Sequence, residues 1–439
     1  MSIRYDDALP ALVQIVNAAG VDLTAQDTLV LRDAQGRLGI AFEKRRHLPG
    51  LANKLRERLG AYALPEPVLP SALFPSIQAA SPREVFVWVG ERLEPVRLVE
   101  RRIVGADWLS DLAPPPPGPP RLVFGSLKGG VGRTTALAVL AMDLAQAGKR
   151  VLCMDLDLEA PGLSTTLLSN QASDDRRPRY GALDYLVEDG LNPIQDDELS
   201  DFVGISHFAQ GEIRVLPAVG RETDAHPENM IAKLSRGLIE DVGQEGRLSV
   251  ATQLRRMVDR FVAYFESDVV LIDARAGLAE LTAGTWLSLG ARKLLLFGVD
   301  QPQTFMGYRY VLSHLVSSLG VPQPTSEEDW RTRLTFVHSK APTAGKRRLL
   351  FREKLYELCL ETLYEQEEDK EKLEPVFSFG LHESGLDIPH DATHITFHPD
   401  YDAFSPLDDG TVLQAEVYGG PFGAFLTRSW RLLGWERSS

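Results

Sequence analysis

Short, continuous apolar runs alternate with helical patterns through the middle of the chain. "RLVFGSL", "RVLCMDLD", "IRVLP", "DVVLIDA", "KLLLFGV" and "LTFVH" have the length and composition of strands buried on both faces. Between them the periodicity predicts helices over 134–146, closed by Gly148, over 250–265 with Ser249 as cap, and over 304–319, closed by Gly320. This alternation predicts an α/β fold, a doubly wound, mostly parallel sheet with helices on both faces.

Upstream the pattern changes. "TLVLRDAQGRLGIAFE" reads as strand, turn, strand, and "REVFVWVGERLEPVRLVERRIVG" as two more strands about a Gly-Glu turn. Helical patterns near Leu9–Ala19 and Leu51–Leu59 complete a small α+β N-terminal domain, 1–112. It holds no catalytic constellation, and His47, beside Arg45 and Arg46, is expected as a solvated loop residue. "APPPPGPP", 113–120, can continue neither a helix nor a central strand and is expected as a stiff linker. The α/β core then spans 121–342. A C-terminal extension, 343–439, should pack on it: a charged helix, a region rich in Gly, His and Asp, and the amphipathic "FGAFLTRSWRLLGWER".

Composition narrows the function classes. The 439 residues are 44% hydrophobic, enough for real cores, and no run approaches the roughly 20 apolar residues of a membrane span. Two cysteines, Cys153 and Cys359, and no secretory-type start lead us to expect a reducing, cytoplasmic setting without disulfides. A net charge of −14 opposes broad electrostatic binding to DNA or anionic lipid, while leaving local basic patches open.

The candidate chemistry lies in "GSLKGGVGRTTA", 125–136. A buried strand, a glycine turn and a helix start aim amide donors and the positive end of a helix dipole at one small volume. Gly129, Gly130 and Gly132, with Val131 between them, supply the turn. Thr134 is placed to ligate Mg²⁺, and Thr135 to reach a phosphate nearer the base. The alternative is a tight strand-to-helix turn without a ligand.

"KGGVGRTT" resembles the deviant Walker A loop, KGGxGK[ST], of the ParA/MinD group of P-loop ATPases. The resemblance continues in order through "KRVLCMDLDLEAPGLSTTL", "GALDYL", "GEIRVLPAVG" and "FESDVVLIDARAGL", about half of the chain. It implies ATP and Mg²⁺ as ligands and a nucleotide-dependent homodimer in which Lys128 reaches the partner's phosphates. It further implies roles for Asp157 in positioning water and the metal shell, for Asp273 as the metal-linked carboxylate, and for Gly277 as a backbone donor to the terminal phosphate.

Three departures qualify the transfer. Arg133 stands where the family has lysine, keeping the charge but replacing a compact ammonium with a planar fork. "LTFVHSKA" offers Ser339 or His338 where asparagine often reads adenine, and the segment from Asp157 to Asp273 is long, with a polar insertion around "NQASDDRRPRY". The expectation is binding with slow hydrolysis, catalysed by Lys128, Asp157 and Arg133, because phosphoryl transfer depends on positioning. The N-terminal domain would report the nucleotide state to an unidentified protein partner. The alternative is a non-catalytic regulator or scaffold with a degenerate loop; a bacterial-type tyrosine kinase is disfavoured because the last 35 residues hold only Tyr418.

Other features have two readings each. Arg275 is either a charge near the γ phosphate or a surface arginine, and Asp155 either binds metal-shell water or caps a strand end. His382, His390, His394 and His398 have ligand-like spacing but lie in a non-helical pattern. "DIPHD", 387–391, resembles the family's base-pocket string. Phe422, Phe425, Leu426, Trp430 and Leu433 share a helical face that suits either packing or membrane contact. "GKRRLLFREK" reads as a solvated helix face rather than a nucleic-acid contact.

Overall fold

The structure, a computed structural model, describes residues 3–437 except 81, 170, 172–173, 209–210, 244–245, 321–328, 365–387 and 389. The chain divides into two compact units, Met1–Leu109 with His314–Gly320, and Ser110–Ser313 with Val321–Ser439.

The first unit runs α1 (Tyr5–Ala18), β1 (Thr28–Arg32), β2 (Leu38–Phe42), α2 (Leu51–Leu59), β3 (Ala63–Leu69), α3 (Phe74–Gln78), β4 (Arg83–Val89) and β5 (Arg92–Glu100). Leu51, Leu55 and Leu59 recur every four residues and form the buried stripe of α2, beside Leu9, Leu12, Val13 and Val16 of α1. The sheet order is β3-β2-β1-β5-β4, with the two predicted hairpins antiparallel and β1 parallel to β5. The sequence pattern does not predict β3, because Pro65 and Pro67 interrupt it. It is an edge strand, where missing amide donors are tolerated.

The second unit runs β6 (Arg121–Ser126), α4 (Arg133–Gln146), β7 (Val151–Leu156), α5 (Ala182–Glu188), β8 (Gly204–Ile205), β9 (Ile213–Leu216), α6 (Arg221–Ala225) and α7 (Met230–Gly237). It continues through the hairpin β10 (Asp241–Gly243) and β11 (Gly246–Leu248), then α8 (Val250–Tyr264), β12 (Val269–Ala276), α9 (Glu280–Ala283), β13 (Lys293–Gly298) and α10 (Pro302–Leu319), whose residues from His314 on count with the first unit. It closes with β14 (Leu334–Ala341), α11 (Gly345–Thr362), β15 (Thr393–Thr396) and α12 (Ala415–Leu432). The eight-stranded sheet has the order β15-β14-β13-β6-β12-β7-β9-β8, parallel throughout except for β8 against β9. This is the expected doubly wound α/β architecture. Ser249 caps α8 as its position suggests, accepting from the Thr252 amide. The first residue of "APPPPGPP" is held by the core: the Ala113 amide donates to Leu287 O at 2.7 Å, and its carbonyl accepts from Arg333 at 2.8 Å.

The chain leaves β6 towards β7 on one side, and β13 lies on the other. The carboxyl end of β6 is therefore a switch point of the sheet, where such folds open a crevice.

The stretch Ala136–Ala145 of α4 is buried on every side. A helix apolar all round needs cover beyond the sheet, and α12 packs against it. Phe425 packs edge-on against Phe124 of β6 and Phe297 of β13, with ring centroids 6.4 and 5.9 Å away. The apolar face predicted for the tail is thus consumed in the core of its own unit. Among the described residues no helix is long and apolar enough to cross a membrane. Beyond Thr362, the charged helix pattern runs into residues 365–374, outside the described residues.

One carboxylate interrupts α4. Asp143 accepts from Tyr418 Oη (3.1 Å), Trp430 Nε1 (2.7 Å) and Arg437 Nε and Nη2 (2.9 and 2.7 Å), joining α4 to α12 and the residues after it. Asp143→Ala leaves these donors without their acceptor and should cost about 3 kcal/mol, measured by chemical denaturation; a loss below about 0.5 kcal/mol, the surface-substitution range, would contradict this role.

Candidate functional site

The loop between β6 and α4 carries Lys128, whose Nζ donates to Gln301 Oε1 at 2.9 Å. Gly130 and Gly132 have φ of 72° and 82°, left-handed values that disfavour side chains. At Gly129, which has no such φ, an added Cβ would meet no atom within 4 Å, so the space over the loop is open there. The first turn of α4, with its amide donors, points into the same space.

Two neighbouring strands bring carboxylates to this loop. Parallel register sets Asp155 of β7 directly beside Asp273 of β12, and Asp273 beside Phe124 of β6. Asp155 accepts from the amides of Gly162 (2.8 Å), Leu163 (2.9 Å) and Asp157 (3.1 Å), so it pins the turn that follows β7. Of its two readings, the structure displays the strand-end cap. Burial and the facing Asp273 push its carboxyl up to about 7 against these amides. Burial also raises Asp273, although Arg133 and the Thr134 hydroxyl oppose the shift.

Arg133 lies at the centre. Its Nε donates to Asp273 Oδ1 (2.5 Å), Nη2 to Asp157 Oδ2 (2.7 Å) and Nη1 to Ser126 Oγ (3.0 Å). Burial alone would lower its pKa, but the two carboxylates more than reverse this, so it carries a firm positive charge. Thr134 Oγ1 donates to the other oxygen of Asp273. The Gly277 amide, expected as a phosphate donor, donates here to Ser126 O at 2.9 Å, with φ of 98° at Gly277. Arg275, near the end of β12, pairs with Glu159 in the loop after β7.

Beside the loop, Gly132, Thr135 and Val131 form one wall of a small pocket; Ser339, Lys340, Thr396, His398 and Asp402 are among its other lining residues. Ser339 Oγ is buried with no hydrogen-bond partner. Lys340, with φ of 50°, holds the left-handed conformation that is uncommon outside glycine, and its Nζ donates to Asp402 at 2.7 Å.

The donor chemistry fits a divalent cation. Thr134, Asp157 and Asp273 converge as hard oxygen ligands, the kind that hold Mg²⁺ together with phosphate. Among the described residues no cluster of three or more His, Cys, Asp or Glu could hold a metal ion, so phosphate would have to complete the shell.

The sequence profile of the CobQ/CobB/MinD/ParA nucleotide binding domain matches residues 122–301. Those residues are similar to that family's domain, and the match covers less than half of the chain. Comparison with curated proteins gives no match. Similar solved structures include MinD cell division protein from Aquifex aeolicus, at 16% identity over 72% of this chain and 97% of that one, TM-score 0.42. A ParA family ATPase from Chlorobium tepidum matches at 13% identity over 70% and 98%, TM-score 0.43. pNOB8 ParA bound to nonspecific DNA matches at 17% identity over 72% and 99%, TM-score 0.43. At these identities and scores nothing about ligand or partner passes to this chain.

Lys128, Gly129, Gly130, Val131, Gly132, Arg133, Thr134 and Thr135 form the loop and the start of α4, and Asp157, Asp273 and Gly277 are brought next to it. Ser339 lines the pocket. His338 instead stacks on Phe351 at 4.0 Å, and burial pulls its pKa down to about 4. Of "DIPHD", Asp387 and Pro389 fall outside the described residues; the described ones do not line the pocket, His390 bonding Arg331 O and Tyr364 and Asp391 pairing with Arg352. The segment from Ile395 to Asp402 supplies lining residues of this pocket, announced in the sequence only by the alternation of "THITFHPD". His382 is outside the described residues; His394 bonds Arg348 and His398 lies beside Asp400.

Proposed function

We propose that the site binds a purine nucleoside triphosphate, ATP by family resemblance, and that the protein is a nucleotide-dependent dimerising switch with slow hydrolysis. The observation that carries this is the open glycine cradle set between the Thr134, Asp157 and Asp273 oxygens and the pocket beside Thr135. Phosphates would lie along the amides of Gly129 to Thr135, and the base in the pocket, where the unpartnered Ser339 hydroxyl would meet a ring polar group. Thr134, Asp157 and Asp273 would hold Mg²⁺, which when bound neutralises phosphate charge.

Arg133 and Lys128 would bring the cationic groups. Arg133 suits paired, charge-assisted bonds to phosphate oxygens. Lys128 is free to turn outward, since its bond to Gln301 lies at the surface, and would reach a second copy's phosphates. Asp157 would orient the attacking water. Hydrolysis would be slow because the rigid fork of Arg133 displaces the contacts that lysine makes, and about 1 Å of misplacement costs on the order of 10²-fold in rate. Whether DNA, a membrane or a protein reads the switch is a separate question; a protein partner at the N-terminal unit is our proposal.

Calorimetry should find one ATP bound per chain with Mg²⁺, and Ser339→Phe should weaken ATP at least ~10-fold while leaving inorganic tripolyphosphate binding unchanged. Equal loss for both ligands would place the base elsewhere. In light scattering, the mass should double with a slowly hydrolysed ATP analogue and not with ADP, and Lys128→Ala should stay single. Doubling without any phosphate release from ATP would keep the switch and make it a non-hydrolysing regulator.

A further inference from the structure

The guanidinium of Arg133 touches three groups with three different nitrogens, and all three lie at the carboxyl ends of adjacent strands: Ser126 on β6, Asp157 after β7 and Asp273 on β12. Both oxygens of Asp273 are engaged, one by Arg133 Nε and the other by Thr134 Oγ1. Asp273 and Asp157 are buried, at 1% and 7% exposure. Two buried carboxylates with a third, Asp155, alongside require a counter-cation. The only cationic side chain bonded to Asp157 or Asp273 among the described residues is Arg133.

A divalent cation would need the same oxygens. Mg²⁺ sits about 2.0–2.1 Å from its carboxylate ligands, whereas Arg133 nitrogens already occupy the approach to Asp273 and Asp157 at 2.5 and 2.7 Å. The two cations exclude each other by space and by charge. Lysine could not hold the same arrangement, because a single ammonium lacks the planar fork that spans three partners at fixed angles.

We propose that Arg133 is the resident counter-cation of the nucleotide-free site and bars free divalent metal from it. Metal then enters only together with a triphosphate, whose oxygens draw the guanidinium off the carboxylates. The second half rests on the nucleotide reading; the first does not. In the nucleotide-free protein Arg133 therefore works as a latch across β6, β7 and β12. The same side chain changes partners, from carboxylate to phosphate, when the site fills.

The test uses the full chain without nucleotide and Mn²⁺ alone as probe, with free Mn²⁺ read by electron paramagnetic resonance. Arg133→Ser should bind Mn²⁺ at least ~10-fold more tightly than wild type, and adding Asp273→Asn should remove that site. Equal affinity in wild type and Arg133→Ser would overturn the proposal, as would tight Mn²⁺ binding by wild type that Asp273→Asn abolishes. If Arg133→Ser does not fold, Arg133→Gln, which also removes the charge, carries the test: tighter Mn²⁺ binding than wild type supports the latch, and no difference overturns it. Because no nucleotide is present, failure here is distinct from failure of ATP binding, which calorimetry reads separately.

Discussion

The site is organised by one buried ion-pair set, the Arg133 guanidinium between Asp157 and Asp273. A charge removed from water is tolerated only when paired and hydrogen-bonded, and deleting one member of such a set costs on the order of 3–5 kcal/mol. The fold meets that condition by geometry. Parallel register brings the ends of β6, β7 and β12 level, and the glycine loop starts α4 with Arg133 facing inward. Ser126 and Thr134 complete the hydrogen bonding, so each group in the set is held by at least one element other than its own.

What surrounds the set follows from keeping α4 in place. Its apolar circumference requires a second layer, and α12 is that layer, fixed by the Asp143 network and by Phe425 against the sheet. The C-terminal extension is therefore part of the second unit in a physical sense. It adds β15 to the sheet edge and supplies one wall of the pocket beside Thr135.

Much of this is legible in the sequence because the relevant signals are local. Continuous apolar runs mark the central strands, glycine spacing marks the loop, and Ser249 marks the start of α8. The rest depends on pairing between distant residues. Asp155 looks ambiguous until register places it beside Asp273. Arg133 reads as a phosphate ligand because nothing local says that two carboxylates, 24 and 140 positions away, will surround it. β3 is hidden by Pro65 and Pro67, which only an edge position permits, and β15 is too short to stand out. "DIPHD" resembles a base-pocket string, yet the pocket beside Thr135 is lined by residues from Ile395 to Asp402, in and after the edge strand β15.

The central claim is that one side chain serves the carboxylates in the nucleotide-free protein and the phosphates in the filled one. A crystal structure with a slowly hydrolysed ATP analogue and Mg²⁺ tests it most directly. The account predicts Arg133 turned onto phosphate oxygens, with its bonds to Asp157 and Asp273 broken. A bound triphosphate in the cradle with the guanidinium still between the two carboxylates would contradict it.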